Sequence, residues 1–363
     1  MPRLERKDEH IIYSMHKLPN RADFSDIHFV HNCLPDRDHN EVSLDTFYMG
    51  RTFRSPFFIN AITGGTNLAL RVNAHLAEVA RKNRLPMAVG SQMVALENKS
   101  AEASFKIVRK INPKGVIWAN IGSYAEPDMV HRAVKMIRAD GVQIHLNIPQ
   151  ELIMNEGDSQ FKGMIERIRR IKNEIEVPVI VKEVGFGIAG EQARILIDSN
   201  VDAIDIGGKG GTNFLTIESK RTGLKISREL ESWGIPTAIS LLEVVAVARD
   251  KADLIASGGM YKAIDIAKAL AIGAKAVGMA GLPVYLLIKK GRTALEDYIT
   301  KVERELRLIM TMNGVTSVSE LQQVPLVITG FTAEWMQRRG LDLSNYAQRS
   351  RINYTKKNVS DRI

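Results

Sequence analysis

With 363 residues the chain is long enough for two domains or for one α/β barrel with extensions, and length does not choose between them. Hydrophobic residues make up 45% and no low-complexity stretch interrupts them, which excludes an extensively disordered chain. The formal net charge of +9 suits an anionic partner (nucleic acid, acidic membrane surface or phosphorylated small molecule), but much of the excess sits in the two ends.

The opening segment "MPRLERKDEHIIYSMHK" mixes both charges without an apolar core, so a secretory signal is not expected, and a cytoplasmic protein is. Within it Arg6, Lys7 and His10 fall in five residues, with Lys7 and His10 at i, i+3 on any helix. A solvated charged segment is the usual explanation. Folded over a binding site, the same segment would supply cations to a phosphate and exclude water.

From Pro56 onward, short apolar runs ending in Gly or a polar residue alternate with helical patterns. The runs are "PFFINAITGG", "PMAVGSQ", "GVIWANIGS", "GVQIHLN", "VPVIVKEVGFG", "VDAIDIGGKGGT", "DLIASGG" and "KAVGMAG". Eight strand–loop–helix units are what a (β/α)8 TIM barrel requires. A ninth candidate, "IPTAIS", reads instead as the loop before a helix, with Ser240 as cap and Glu243 at the capping-box position. A doubly wound open sheet shows the same alternation, but the GxGxxG turn that would open its first helix is missing. The organisation expected is a single α/β domain: an arm over residues 1–55 preceding the first strand, a barrel over 56–314, and a helical extension with a basic tail over 315–363. The longest uncharged apolar stretch, 276–288, is interrupted by glycines and Pro283 and is too short to cross a bilayer. The single cysteine, Cys33, excludes an internal disulfide and a cysteine metal cluster.

Three glycine-rich turns fall at late strand ends: Gly207, Gly208, Gly210 and Gly211 with Thr212; Gly258 and Gly259; and Ala280 with Gly281. A tight turn alone explains any one of them. Together at one barrel edge they point to phosphate held by backbone N–H groups. Lys182 ends the fifth strand; a salt bridge with Glu183 would explain it, and so would a cation beside the N1–O2 edge of a reduced flavin. Ile62 and Thr63 after strand one, Ser91 after strand two and Asn120 on strand three offer small polar contacts suited to an isoalloxazine ring. On strand four His145 and Asn147 point to one side, and Gln150 and Glu151 follow at once. A hydrogen-bonded core histidine and a helix-N-terminal acid are the plain explanations. As a cluster the four suggest a site in which Glu151 holds Mg2+, which needs few carboxylates when a diphosphate supplies other oxygens.

The set "ERKxxH", "TGG", "VGSQ", "HLNxxQE", "VPVIVKEVGFG", "GGxGGTNF", "SGG" and "MAG", in this order from Arg6 to about residue 330, resembles the type 2 isopentenyl-diphosphate isomerases. "HLNxxQE" discriminates most, since related FMN barrels share the later glycine turns. The resemblance implies interconversion of isopentenyl and dimethylallyl diphosphate in isoprenoid biosynthesis, with FMN, Mg2+ and NADPH or NADH as reductant, the reduced FMN acting as acid and base. It implies Gln150, His145 and Asn147 as catalytic-pocket residues and Glu151 as the Mg2+ ligand, with Arg6, Lys7 and His10 contacting the substrate diphosphate. FMN would be held by Ala61, Ile62, Thr63, Ser91, Asn120, Lys182, Gly207, Thr212, Gly258, Gly259, Ala280 and Gly281. Family members form tetramers or larger homo-oligomers, such as octamers, and bind neither nucleic acid nor membrane. Two departures, "AITGG" for "AMTGG" and Gly207 for serine, fall where backbone makes the contacts.

Two other readings fit parts of the chain. An FMN oxidoreductase of the 2-hydroxy-acid oxidase type shares the lysine strand and glycine turns, yet "SGGMYKA" offers Tyr261 and Lys262 where such an enzyme wants arginine. A nucleic-acid-binding protein would follow from the charge alone, but aromatics are only 6% and no binding motif appears.

Overall fold

In the computed structural model, residues 7–9, 12, 21–248 and 250–349 are described. Three short strands come first: β1 (Ile27–Phe29), β2 (Thr46–Tyr48) and β3 (Arg51–Phe53). Then follow β4 (Phe57–Ile59), β5 (Met87–Ala88), β6 (Ile117–Gly122), β7 (Gly141–Leu146), β8 (Val179–Glu183), β9 (Ala203–Asp205), β10 (Asp253–Ser257) and β11 (Ala276–Met279), and near the end β12 (Leu326–Ile328). Strands β4 to β11 pair in parallel in chain order, and β11 closes on β4 through the Val277–Phe57 register, so the eight apolar runs form a closed (β/α)8 barrel.

Side chains alternate across each strand, and the alternation sorts the barrel interior into layers. Phe58, Ala88, Trp118, Ile180, Ala203, Ile255 and Ala276 pack together as the lower inner layer. Two residues further along their strands stand Asn60, Asn120, Lys182, Asp205 and Ser257, a polar layer nearer the mouth. Gly141 makes room for the indole: a Cβ there would lie 3.0 Å from Trp118 Cδ1. The outward-facing residues pack on amphipathic helices such as Pro127–Ile137, which buries Val130, Ala133 and Ile137 and carries its proline in the first turn, where no intrahelical N–H is needed.

Residues before 55 do not simply precede the first strand, as the sequence suggested. β2 and β3 form an antiparallel hairpin whose Tyr48 and Phe53 stack at 4.2 Å and join the lower inner layer. Met49 N donates to Asp253 Oδ2 at 2.6 Å and Thr46 Oγ1 to the Lys275 carbonyl at 2.7 Å, both at the starts of barrel strands. The hairpin therefore closes the bottom of the barrel. β1 pairs antiparallel with β12, tying the segment before the barrel to the segment after it.

"IPTAIS" is not a strand, as expected, but the helix cap lies elsewhere. The helix runs Thr237–Ala248, so Ser240 sits inside it. Its hydroxyl donates to the Ile188 carbonyl and accepts from Ile188 N, and Glu243 accepts from Trp335 Nε1, Arg339 and Gly190 N. Both side chains are engaged by neighbouring segments, which is why a local capping pattern misplaced the helix start.

Candidate active site

The mouth of the barrel opens on a cavity lined by residues from the ends of all eight strands. Alternation along β7 turns Gln143 and His145 inward, and the strand runs directly into the helix Ile148–Ile153, whose first turn carries Gln150 and Glu151. Asn147, at the junction, donates through Nδ2 to Glu151 Oε1 at 2.7 Å and to Gln150 Oε1 at 3.3 Å. Asp158 N donates to Glu151 Oε2 at 3.0 Å. Each carboxylate oxygen thus has one protein donor and a further lone pair for another ligand. His145, Asn147, Gln150 and Glu151 all line the cavity, the first three buried.

Behind Gln150 lies a residue that sequence reasoning missed. Gln150 Nε2 donates to Glu218 Oε1 at 3.0 Å, and Glu218 is fully buried in the helix Phe214–Thr222. Arg221 Nε donates to Glu218 Oε2 at 2.6 Å, and Arg221 also pairs with Glu156. In "NFLTIESKRTG" the glutamate looks like part of a solvated helix face; its i, i+3 spacing to Arg221 is the one local signal of a partner.

Lys182 lines the cavity from β8. The salt bridge with Glu183 does not form: Lys182 Nζ donates to the Glu183 carbonyl at 2.6 Å, while the Glu183 carboxylate accepts from Gly185 N at 2.6 Å and from Phe186 N. Burial pushes the Glu183 carboxyl up to about 7, against the pull of those N–H donors and of Lys182.

The glycine turns come together at the same mouth. Ala22 N donates to the Gly259 carbonyl at 2.9 Å, and Gly208 N to the Ser257 carbonyl at 2.9 Å. A Cβ on Gly259 would fall 1.8 Å from the Gly210 carbonyl, and Gly259 has φ +82°, so only glycine fits this stack of backbones. Gly207, Gly211, Thr212, Gly258, Gly259, Ala280 and Gly281 line the cavity, as do Ala61, Ile62, Ser91 and Asn120. Tyr261 lines it too; among the described residues its buried hydroxyl has no hydrogen-bond partner, and burial raises its pKa. Thr63 is the exception among the expected contacts: it lies outside the lining, where its carbonyl accepts from Gly90 N at 2.9 Å and from Asn73 Nδ2. Gly208 and Gly210 are likewise outside the lining and hold the turn against Thr237 and Ala22.

Of the charged N-terminal trio, Lys7 lines the cavity, and next to it Thr66 Oγ1 donates to Asp8 Oδ1 at 2.5 Å. Arg6 and His10 lie outside the described residues. A cavity with a glycine cradle after β9–β11, small polar contacts after β4–β6 and a lysine in the wall fits a ring carrying a phosphate. The fold and site thus define an FMN-type (β/α)8-barrel enzyme, and the FMN-dependent dehydrogenase family matches the chain over residues 14–148 and 148–327. Solved mandelate oxidase structures superpose with TM-scores of 0.64 and 0.63 over 90% of this chain and 97% and 98% of theirs, at 16% and 17% identity, which is a likeness of fold.

An isopentenyl-diphosphate delta-isomerase from Geobacillus sp. is 47% identical over 96% of this chain and 100% of its own. Isomerases of the same name from Symbiobacterium thermophilum (44%, covering 91% of each chain) and Bacillus pumilus (41%, covering 96% and 99%) agree. The chain belongs to the isopentenyl-diphosphate delta-isomerase family.

Proposed function

We propose that the protein interconverts isopentenyl diphosphate and dimethylallyl diphosphate, with FMN, Mg2+ and NADPH or NADH as flavin reductant. The observation that carries this reading is one cavity in which Glu151, Gln150, Asn147 and His145 face the glycine cradle across the ring of strands, with Lys182 in the wall between. Family membership supports it.

The substrate alkene has no carbonyl to stabilise a carbanion, so the simplest route adds a proton at one carbon and removes one at another, through a tertiary cation. Bound and reduced, FMN would supply the acid–base group beside the alkene. Ser91, Asn120, Lys182, Thr212 and the glycine turns would hold it, with the Lys182 ammonium at the ring edge that becomes anionic on reduction. Glu151, oriented by Asn147 and the Asp158 N–H, would take Mg2+ and with it the diphosphate. Among the described residues no cluster of three or more His, Cys, Asp or Glu could hold a metal, so diphosphate and water oxygens would complete the coordination. Lys7, together with Arg6 and His10, would bind the diphosphate, and His145 would line the pocket beside it. Gln150, clamped through its amide by Glu218 and Asn147, would fix the alkene against the ring.

The test is anaerobic incubation of FMN-loaded protein with Mg2+, NADPH and isopentenyl diphosphate, following dimethylallyl diphosphate by NMR with and without reductant. Product that appears only after flavin reduction, without stoichiometric NADPH loss, establishes the isomerase. Reducible FMN without product returns the chain to the oxidoreductases whose fold it shares.

A further inference from the structure

Across the floor of the cavity a continuous row of side-chain amides crosses the barrel interior. Asn60 Nδ2 donates to Asp205 Oδ2 at 2.7 Å, and Asn60 Oδ1 accepts from Gln143 Nε2 at 2.9 Å. Asn120 Nδ2 donates to Gln143 Oε1 at 2.9 Å, and Asn120 Oδ1 lies 2.9 Å from His145 Nδ1. All five side chains are buried, Gln143 and Asp205 completely.

The direction of every bond in the row follows from its far end. Ala61 N is a backbone N–H, which can only donate, and it meets Asn60 at 2.8 Å, so the Asn60 atom there must be the oxygen. The nitrogen of Asn60 then faces Asp205, whose carboxylate also takes Ser257 Oγ and, at 3.3 Å, Gly207 N. Gln143 must offer nitrogen to Asn60 and oxygen to Asn120. Asn120 must offer nitrogen to Gln143, and its oxygen remains for His145. An amide oxygen cannot donate, so Nδ1 must carry the proton.

We infer that the Asn60–Gln143–Asn120 row is a device that sets the tautomer and ring orientation of His145, making Gln143 a positioning residue. His145 is held with Nδ1–H on Asn120, and in the neutral ring Nε2, the other nitrogen, can only accept a hydrogen bond. Gln143 does not line the cavity and reaches the site only through Asn60 and Asn120. The inference rests on the proposed function only for the use to which Nε2 is put.

The test is NMR of FMN-loaded protein with 15N-labelled histidine, at a pH high enough that one ring nitrogen carries the proton, with His145 assigned by its loss in His145→Gln. The wild type should show the one-bond N–H coupling at Nδ1 alone. In Gln143→Met, Asn120 loses the partner that fixes its direction, so the proton should be shared between Nδ1 and Nε2 while FMN stays bound. A wild-type proton on Nε2 alone overturns the inference, as does a Gln143→Met protein that keeps it solely on Nδ1. Should that variant not fold, the wild-type spectrum decides. No turnover is needed, so failure here leaves the isomerase assay standing, and failure of that assay leaves the tautomer result standing.

Discussion

The two ends of the barrel are built from the same eight strands and solve opposite problems. At the bottom Trp118 meets Phe58 edge-on at 4.6 Å, and Tyr48 and Phe53 of the β2–β3 hairpin stack over them. The interior of that end is filled with rings and aliphatic side chains. At the top, two residues further along, the inward positions carry the amides of Asn60, Asn120 and Gln143, the Asp205 carboxylate and the Lys182 ammonium, with the His145 imidazole one step beyond Gln143. A two-residue step on a strand thus separates the part that stabilises the barrel from the part that does chemistry, and substitutions at the two levels should have separable effects.

Trp118→Ala tests the bottom and should have the largest effect. Removing a fully buried indole should cost about 3–5 kcal/mol of unfolding free energy. Chemical denaturation of FMN-loaded protein measures it; a loss below 1 kcal/mol would mean the hairpin, not the ring layer, closes the bottom. Glu151→Gln tests the top: kcat/KM should fall about 10²- to 10³-fold, roughly 3–4 kcal/mol, with FMN affinity and denaturation midpoint unchanged. If excess Mg2+ restores the rate fully, Glu151 contributes to metal affinity and not to the transition state.

Glu183 lies at the boundary. Its folded pKa, about 7, is above the ordinary value of 4.5, so its contribution to stability is full below pH 4.5 and is lost as pH rises through 7. The stability difference between wild type and Glu183→Gln should shift against the wild type by on the order of 3 kcal/mol across that window. A flat difference in paired denaturation curves would show that the Gly185 and Phe186 N–H groups keep the carboxylate ionised throughout. Gln150→Ala should lower kcat by about 10²-fold without changing FMN content; an unchanged rate would remove Gln150 from the mechanism. Lys182→Met should have the smallest effect, lowering the flavin midpoint potential by tens of millivolts, where 30 mV is about 1.4 kcal/mol for a two-electron couple. An unshifted potential in spectroelectrochemistry would leave the lysine only its bond to the Glu183 carbonyl.

Much of the fold was legible because its units are local. Each barrel strand is a short apolar run between turn residues, and eight in succession admit few architectures. The β7 cluster was legible for the same reason: His145, Asn147, Gln150 and Glu151 lie within seven residues, so strand period and helix start place them together without knowledge of the rest. Glu218 was not legible, because its burial depends on the helix Phe214–Thr222 packing against the helix after β7. Thr63 differs from its neighbours Ala61 and Ile62 in lying outside the lining, a difference that residues so close in the chain do not announce. The β2–β3 hairpin was missed because its strands are three residues each and carry no long alternation.

The sequence by itself determined the barrel, the order of its strands, the glycine turns at the late strand ends and the polar cluster that ends β7, since each depends on residues close in the chain. Tertiary structure alone decided that the hairpin fills the bottom, that Lys7 reaches the mouth, that Glu218 stands behind Gln150 and that the amide row runs from Asp205 to His145. Those pairings join residues up to 229 positions apart, and a hydrogen bond's direction is set by its neighbours in space, which chain order does not encode.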